Sequence, residues 1–421
     1  MIELLSPAGD LEKLYAAIRY GADAVYIGGK RFGMRAAAGN FTRDEMAEGI
    51  AHAHANGRRV YVAVNISPRT EEYEALSEYL AEVAELGADA LIVGDIGVLA
   101  LVRRTLPDMP IHISTQANVM SVETAKAFAA LGASRIVLSR ELSLDEVAKI
   151  RRELPLEIEL ECFVHGAMCV SYSGRCLLSN YLSGRDAGHG ACTQPCRWHY
   201  RAERVTAELI EEKRPDEPIP IYEEEGETFF MSSRDLCMIE HIPALIAAGV
   251  ASFKIEGRMK SAYYTAVVTN AYRMAIDACL TGRELDSRLL GEVGSVSHRD
   301  YDTGFFFDSP HTHAKITERD GYLREKAYLA VAEDFDEPMP ENLKAIEVNE
   351  NGKLYRFRQR NKLVQNMTAE LLTPGKVGVP FTVAELYDGE GEAVESAPHP
   401  SRIFYTRVPF EVKEGDILRA E

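Results

Sequence analysis

No stretch of the 421 residues approaches the ~18 consecutive apolar residues that a membrane helix needs. The opening MIELLSPAGDLEKL also lacks the basic segment, apolar run and small-residue cleavage pattern of a secretion signal. A cytoplasmic location with no membrane partner is therefore expected. Positive charge is scarce: 47 Lys and Arg stand against 65 Asp and Glu, a net −18. That balance opposes indiscriminate attraction to nucleic acid, so any RNA contact has to come from a local basic patch. HExxH, GxSxG, the P-loop and a GxGxxG after a strand are all missing. Zinc metalloprotease, α/β-hydrolase, P-loop hydrolase and Rossmann dehydrogenase readings lose support accordingly. Cysteine is present only seven times, an odd number, and five of the seven crowd into residues 169–237. Such crowding suits thiolate metal ligands in a reducing compartment better than a disulfide framework.

What is present reads as a folded protein, with 46% hydrophobic and 27% charged residues. Over the first 160 residues, short apolar runs alternate with amphipathic stretches. Strands are expected at 2–5, 24–27, 60–64, 90–93, 111–114, 135–138 and 158–163, and helices at 11–20, 43–55, 72–86, 121–131 and 144–154. Gly21, Gly57, Gly87 and Gly132 close helices just before the next strand. An eighth strand at 252–255 lies between helices at about 239–248 and 262–281. The fold class is α/β: a (β/α)8 TIM-like barrel, with an open doubly wound sheet as the weaker alternative. A cysteine-bearing insertion follows strand seven. The expected boundaries are a barrel over 1–285 with its insertion at 166–230, a connector over 286–326, and a small C-terminal β-barrel or sandwich over 327–421.

Loops after the strands of such a barrel build its active site, so the insertion lies on the catalytic face. Cys169, Cys176, Cys192, Cys196 and Cys237 follow one another at spacings x6, x15, x3 and x40. These match neither a zinc ribbon nor a compact ferredoxin run, and thiolate chemistry leaves iron-sulfur or zinc open. Four ligands suffice, and Cys192 and Cys196 compete for one place. Cys162 in a strand and Cys279 in a helix read as small hydrophobes.

His165 directly follows strand seven and is expected to face the barrel mouth as an acid/base or binding group. After strand eight, the run Lys254-Ile255-Glu256-Gly257-Arg258-Met259-Lys260-Ser261 leads into a helix and offers Arg258 and Lys260 as an anion pocket. A solvated cap with a Glu256–Arg258 pair is the plainer reading. Asn65, Gln116, Asn118, Arg140 and Glu141 are polar groups at other strand ends. Trp198, the single tryptophan, sits in an Arg-Trp-His-Tyr-Arg run expected to pack locally rather than to stack on a base. Arg35, Arg140, Arg175, Arg197, Arg258 and Lys260 together are expected to supply the local basic surface.

The runs ECFVHGAMC at 161–169, YSGRCLLS at 172–179, CTQPCRW at 192–198, SRDLC at 233–237 and FKIEGRMKS at 253–261, with LSPAG at 5–9, resemble the signatures of the collagenase-like peptidase family U32. The resemblance spans nearly the whole chain and implies more than the family's title. Its better understood members carry out oxygen-independent hydroxylation of RNA or of ubiquinone precursors. The layout is most similar to members that hydroxylate tRNA uridine to 5-hydroxyuridine, with prephenate as the oxygen source. By that resemblance Cys169, Cys176, Cys192 and Cys237 are the ligands of a 4Fe-4S cluster, zinc being the alternative, while Cys196 contests the third place. His165 and Glu256 become the acid/base groups. Arg258 and Lys260 hold a small dicarboxylate co-substrate, and Asn65, Gln116 and Arg140 contact substrate. The partners implied are tRNA and an electron donor that the sequence does not name. Peptide-bond hydrolysis is the alternative activity, but neither an activated nucleophile nor a metal-bound water is visible in the sequence.

Overall fold

The computed structural model describes residues 2–33, 39–169, 171–172, 175–198, 208–211, 214–220, 222–224, 227–229, 233–307, 322–333 and 335–421; of the side chains of His189, Arg197 and residues 208–229 nothing is said. The described residues form two compact units. One comprises residues 1–18, 22–260 and 298–322, and the other residues 19–21, 261–297 and 323–421.

In the first unit the β-α rhythm closes into a barrel. Its strands are β1 (Glu3–Pro7), β2 (Ala24–Ile27), β3 (Arg59–Val64), β4 (Ala90–Val93), β5 (Ile111–Ile113), β6 (Arg135–Val137), β7 (Glu159–Ala167) and β8 (Ser252–Ile255). Each pairs in parallel with the next, and β8 pairs with both β7 and β1 to complete the ring. Helices α1 (Leu11–Arg19), α2 (Arg43–Ala55), α3 (Tyr73–Glu85), α4 (Ile96–Thr105), α5 (Val122–Ala130), α6 (Leu144–Glu153) and α7 (Ile242–Ala247) lie between the strands. Local chemistry sets their ends. Thr42 and Ser143 open α2 and α6 with capping boxes to Glu45 and Glu146. Gly57 and Gly87, which end α2 and α3, sit at φ +66° and +88°, where a side chain would be strained. No described helix is long and apolar enough to cross a membrane.

Alternate residues of the strands meet inside the ring, as the period-2 geometry of a strand requires. Leu5, Ala24, Tyr26, Tyr61, Ala63, Ala90 and Ile92 form an apolar cluster. Beside it lies a buried ionic network. Arg135 bonds Glu3 at 2.5 Å and Glu161 at 3.1 Å, Lys254 bonds Glu161 at 2.7 Å, and Ser252 donates to both carboxylates.

Strand β7 extends beyond the ring. Its outer end, His165 to Ala167, pairs antiparallel with the strand Asp235–Cys237, which in turn pairs with Tyr301–Asp302. The insertion between them contains a short helix, Leu178–Ser183, and two small ladders, Glu208–Glu211 with Arg214–Pro220 and Tyr222–Glu224 with Glu227–Phe229.

The second unit contains helix α8 (Ala262–Leu280) and an antiparallel sheet with the strand order 379–382, 368–372, 417–420, 327–332, 352–359, 403–408 and 386–388. Its core gathers Leu329, Phe357, Leu371, Phe404 and Leu418. The boundaries differ from expectation, because residues 261–297 group with the C-terminal strands and 298–322 with the barrel. Polar ties explain the first regrouping: Asn270 of α8 donates to the Lys376 carbonyl at 2.8 Å and accepts from the Gly375 amide at 2.7 Å. Glu292, just after α8, pairs with the fully buried Arg419 at 2.6 Å. The second regrouping follows from a buried pair inside the barrel unit, Arg299 with Asp235 at 2.6 Å.

Candidate active site at the barrel mouth

The C-terminal ends of the strands surround a narrow cavity of about 50 Å³ that opens to solvent. Five residues expected from sequence, Asn65, Gln116, Arg140, Glu256 and Arg258, line it together. Tyr26, Phe163, Ser114, Thr115 and Lys254 complete its polar and aromatic wall. The lining therefore presents three cations and one carboxylate.

Each group is set by its strand. Gln116 lies in a 3-10 turn after β5, opened by the Ser114 hydroxyl, which accepts from the Gln116 amide at 3.3 Å. The same hydroxyl accepts from the Asn65 side chain at 3.4 Å, coupling the ends of β3 and β5. Arg140, after β6, donates to the Ala167 carbonyl at 2.7 Å, lies over the Phe163 ring at 3.9 Å and faces Glu256 at 3.5 Å. Arg258 is buried, against the reading of a solvated cap. Its guanidinium occupies the space beside Gly28, where a Cβ would lie 2.1 Å from Nη1, and its carbonyl presses on Gly9, where a Cβ would lie 2.2 Å away. Glycine in LSPAG and after β2 is thus what admits this arginine.

A second, more open cavity of about 260 Å³ adjoins the first and shares Asn65 and Gln116 with it. Ser67, Asp95, Ile96, Phe128 and Arg175 form its other walls.

Two expected site residues lie elsewhere. His165 does not line either cavity. The register of β7 against β8 slips by one residue, from Phe163 opposite Lys254 to His165 opposite Ile255, so His165 shares the outward parity of Ile255 rather than facing the ring. It is 1% exposed and stands against Tyr301, with ring centroids 5.2 Å apart, while His298 stacks on that tyrosine at 4.1 Å. Burial, aided by His298 and Lys260 and opposed by Asp235, brings its pKa down to about 3. Lys260 is also outside the cavity lining; its ammonium sits 4.5 Å over the Tyr322 ring after the turn closed by its amide on Gly257. Asn118 and Glu141 both hold the Ser139 hydroxyl instead of facing the cavities.

Cys237 ends its strand, buried and opposite His165 in register, while Cys169 is exposed just past β7. Cys176, Cys192 and Cys196 are half-buried, and the Cys192 sulfur accepts from the Gln194 amide at 3.4 Å. Four or five thiols on neighbouring segments are the right donors for an iron-sulfur or zinc site. Among the described residues, no three Cys, His, Asp or Glu side chains gather as a metal-holding group. Cys162 is buried and its thiol pKa is pushed up by burial, as expected of an apolar filler. Trp198 is partly exposed and donates to the Thr193 carbonyl at 3.0 Å, a local packing contact. Arg35, His199, Tyr200 and Arg201 lie outside the described residues.

Lys254, to which the sequence pattern gave no role, is buried in the cavity wall. The only signal available was a lysine inside the apolar strand Phe253-Lys254-Ile255, a position that demands a buried partner.

Residues 9–316 match peptidase family U32 and residues 344–419 match the family's C-terminal domain. The chain is 37% identical to tRNA hydroxylation protein P of Escherichia coli (strain K12), covering 98% of this chain and 94% of that protein. It is 39% identical to the 23S rRNA 5-hydroxycytidine synthase of the same organism, over 67% of this chain and 40% of that protein. A solved U32 peptidase structure aligns with a TM-score of 0.40 at 17% identity, covering 61% of this chain and 93% of its own.

Proposed function

The chain belongs to peptidase family U32, and from that premise we propose that it is an RNA-modifying enzyme that hydroxylates uridine in tRNA at C5. The observation that carries the reading is the pair of adjoining cavities joined at Asn65 and Gln116. The inner one, lined by Lys254, Arg140 and Arg258, suits a small carboxylate. The outer one has the room and the Phe128 and Arg175 surfaces to receive a base taken out of its stack. The two amides at the seam supply donors and acceptors of the kind that a uracil edge pairs with. Similarity to tRNA and rRNA hydroxylation proteins over most of the chain supports RNA as the target.

Prephenate is the co-substrate of this proposal, its two carboxylates matching the cationic lining. Glu256 is the proton acceptor, since it is the carboxylate on the cavity wall; His165 is set aside because it is buried away from both cavities. An iron-sulfur cluster on Cys169, Cys176, Cys192 and Cys237 belongs to the proposal as a ligand set alone, and would supply electron transfer without O₂. Peptide-bond cleavage is less well supported, because among the described lining residues no histidine accompanies the Ser114 and Thr115 hydroxyls as a base. The test is nucleoside mass spectrometry of tRNA from a deletion strain grown without oxygen, before and after the gene is restored. Loss and return of 5-hydroxyuridine derivatives is expected; an unchanged profile overturns the proposal.

A further inference from the structure

We propose that Lys254 is the residue that seats a carboxylate of the small co-substrate at the floor of the inner cavity. The inference rests on the functional reading above and adds to it a residue and a ligand chemistry. Lys254 is 4% exposed, yet it borders the cavity. Its ammonium carries three donors, and among the described residues its one hydrogen bond goes to Glu161 at 2.7 Å. The aromatic faces of Tyr26 and Phe163 flank it at 4.6 and 5.3 Å, contacts that hold a cation without consuming an N–H directionally. The ammonium is therefore anchored from behind and from the sides, with donor capacity left on the cavity side.

Folding alone does not require a lysine here. Glu161, fully buried, already receives Arg135 and the Ser252 hydroxyl, and the barrel interior next to it is an ordinary apolar cluster. Exchanging a buried ion pair for packed apolar groups is often neutral or stabilising, so a charged pair at the wall of a cavity calls for a use. With Arg140 and Arg258 in the same wall and Glu256 the one carboxylate, an entering anion meets an attractive field of low dielectric. The cavity floor thus takes a small carboxylate group, with Lys254 beneath it.

The experiment is calorimetric titration of the purified full-length protein with prephenate, with malonate and inorganic phosphate as separate arms. Prephenate is expected to bind, and Lys254→Met to weaken it at least tenfold, while Lys126→Met on the surface leaves it unchanged. Lys254→Gln paired with Glu161→Gln removes both charges together and provides a second variant should the single one fail to fold; it is expected to show the same loss. Wild-type affinity in either folded variant overturns the inference. So does a wild-type protein that binds none of the three probes, or one that binds phosphate and no carboxylate. Binding that depends on Lys254 in a strain whose tRNA is unaltered by the deletion overturns the functional reading and leaves the carboxylate seat standing.

Discussion

Arg140, after β6, and Glu256, after β8, face each other at 3.5 Å across the barrel mouth, and both line the inner cavity. The two strands are separated in the ring by β7, so the pair ties together loops that share no hydrogen-bonded edge. Arg140 is held by the Ala167 carbonyl and the Phe163 face, which leaves Glu256 to meet a ligand from a fixed position.

From this pairing, Glu256→Gln should keep the fold, with a melting temperature close to wild type, and lower 5-hydroxyuridine formation by about 100-fold or more, the usual range for loss of a general base. Activity near wild type would remove Glu256 from the chemistry. Circular dichroism melts and nucleoside quantification on the same preparations make the comparison.

Gly28→Ala should displace Arg258. The added Cβ falls 2.1 Å from Nη1, so the guanidinium has to move, and overpacking of this kind costs about 1–3 kcal/mol. Titration of the co-substrate should weaken more than stability does. At Gly57 a Cβ meets nothing within 4 Å, so Gly57→Ala should cost only the strain of its positive φ and leave binding intact.

Acid stability should depend on Glu3. Burial would raise its pKa, but Arg135, Tyr61 and Arg59 outweigh burial and bring the net value below the ordinary 4.5. A carboxyl depressed in the folded state stabilises the protein above its unfolded pKa, and that contribution fades as pH falls from about 4.5 through the lowered value. Denaturant midpoints of wild type should therefore drop in this window, and Glu3→Gln should flatten that part of the profile while lowering stability at pH 7. Parallel profiles would mean that the network contributes no pH dependence.

Anaerobically purified protein should carry about four irons and four sulfides per chain if the thiols hold a cubane cluster. Cys169→Ala and Cys237→Ala should lose the iron and its visible absorption, and Cys162→Ala should retain both, because its thiol is packed as an apolar group. One zinc without sulfide would make the thiols a structural site, and an absence of metal in careful anaerobic work would remove the cluster from the proposal.

Much of the mouth was legible because a barrel sends the residues after each strand toward one face. Asn65, Gln116, Arg140, Glu256 and Arg258 could be picked out by position, and they do share a cavity. His165 could not be placed by that rule, since a one-residue slip between β7 and β8 reverses its side and leaves no mark in the pattern. Lys254 was hidden by the opposite effect: strand periodicity marks it as interior, while its charge has meaning only once Glu161, Tyr26 and Phe163 surround it. Helix α8 was legible as a helix, but its attachment to the C-terminal strands rests on long-range partners, such as Asn270 with Lys376, that periodicity does not encode.

The most direct test of the account is the 5-hydroxyuridine content of tRNA in a deletion strain grown without oxygen and carrying, in turn, wild type, Glu256→Gln or an empty vector. The account predicts full modification with wild type and background levels with the other two, at equal amounts of folded protein. Equal modification in all three would contradict it. So would hydrolysis of gelatin by the purified wild type that is abolished in Glu256→Gln, which would return the cavity to peptide chemistry.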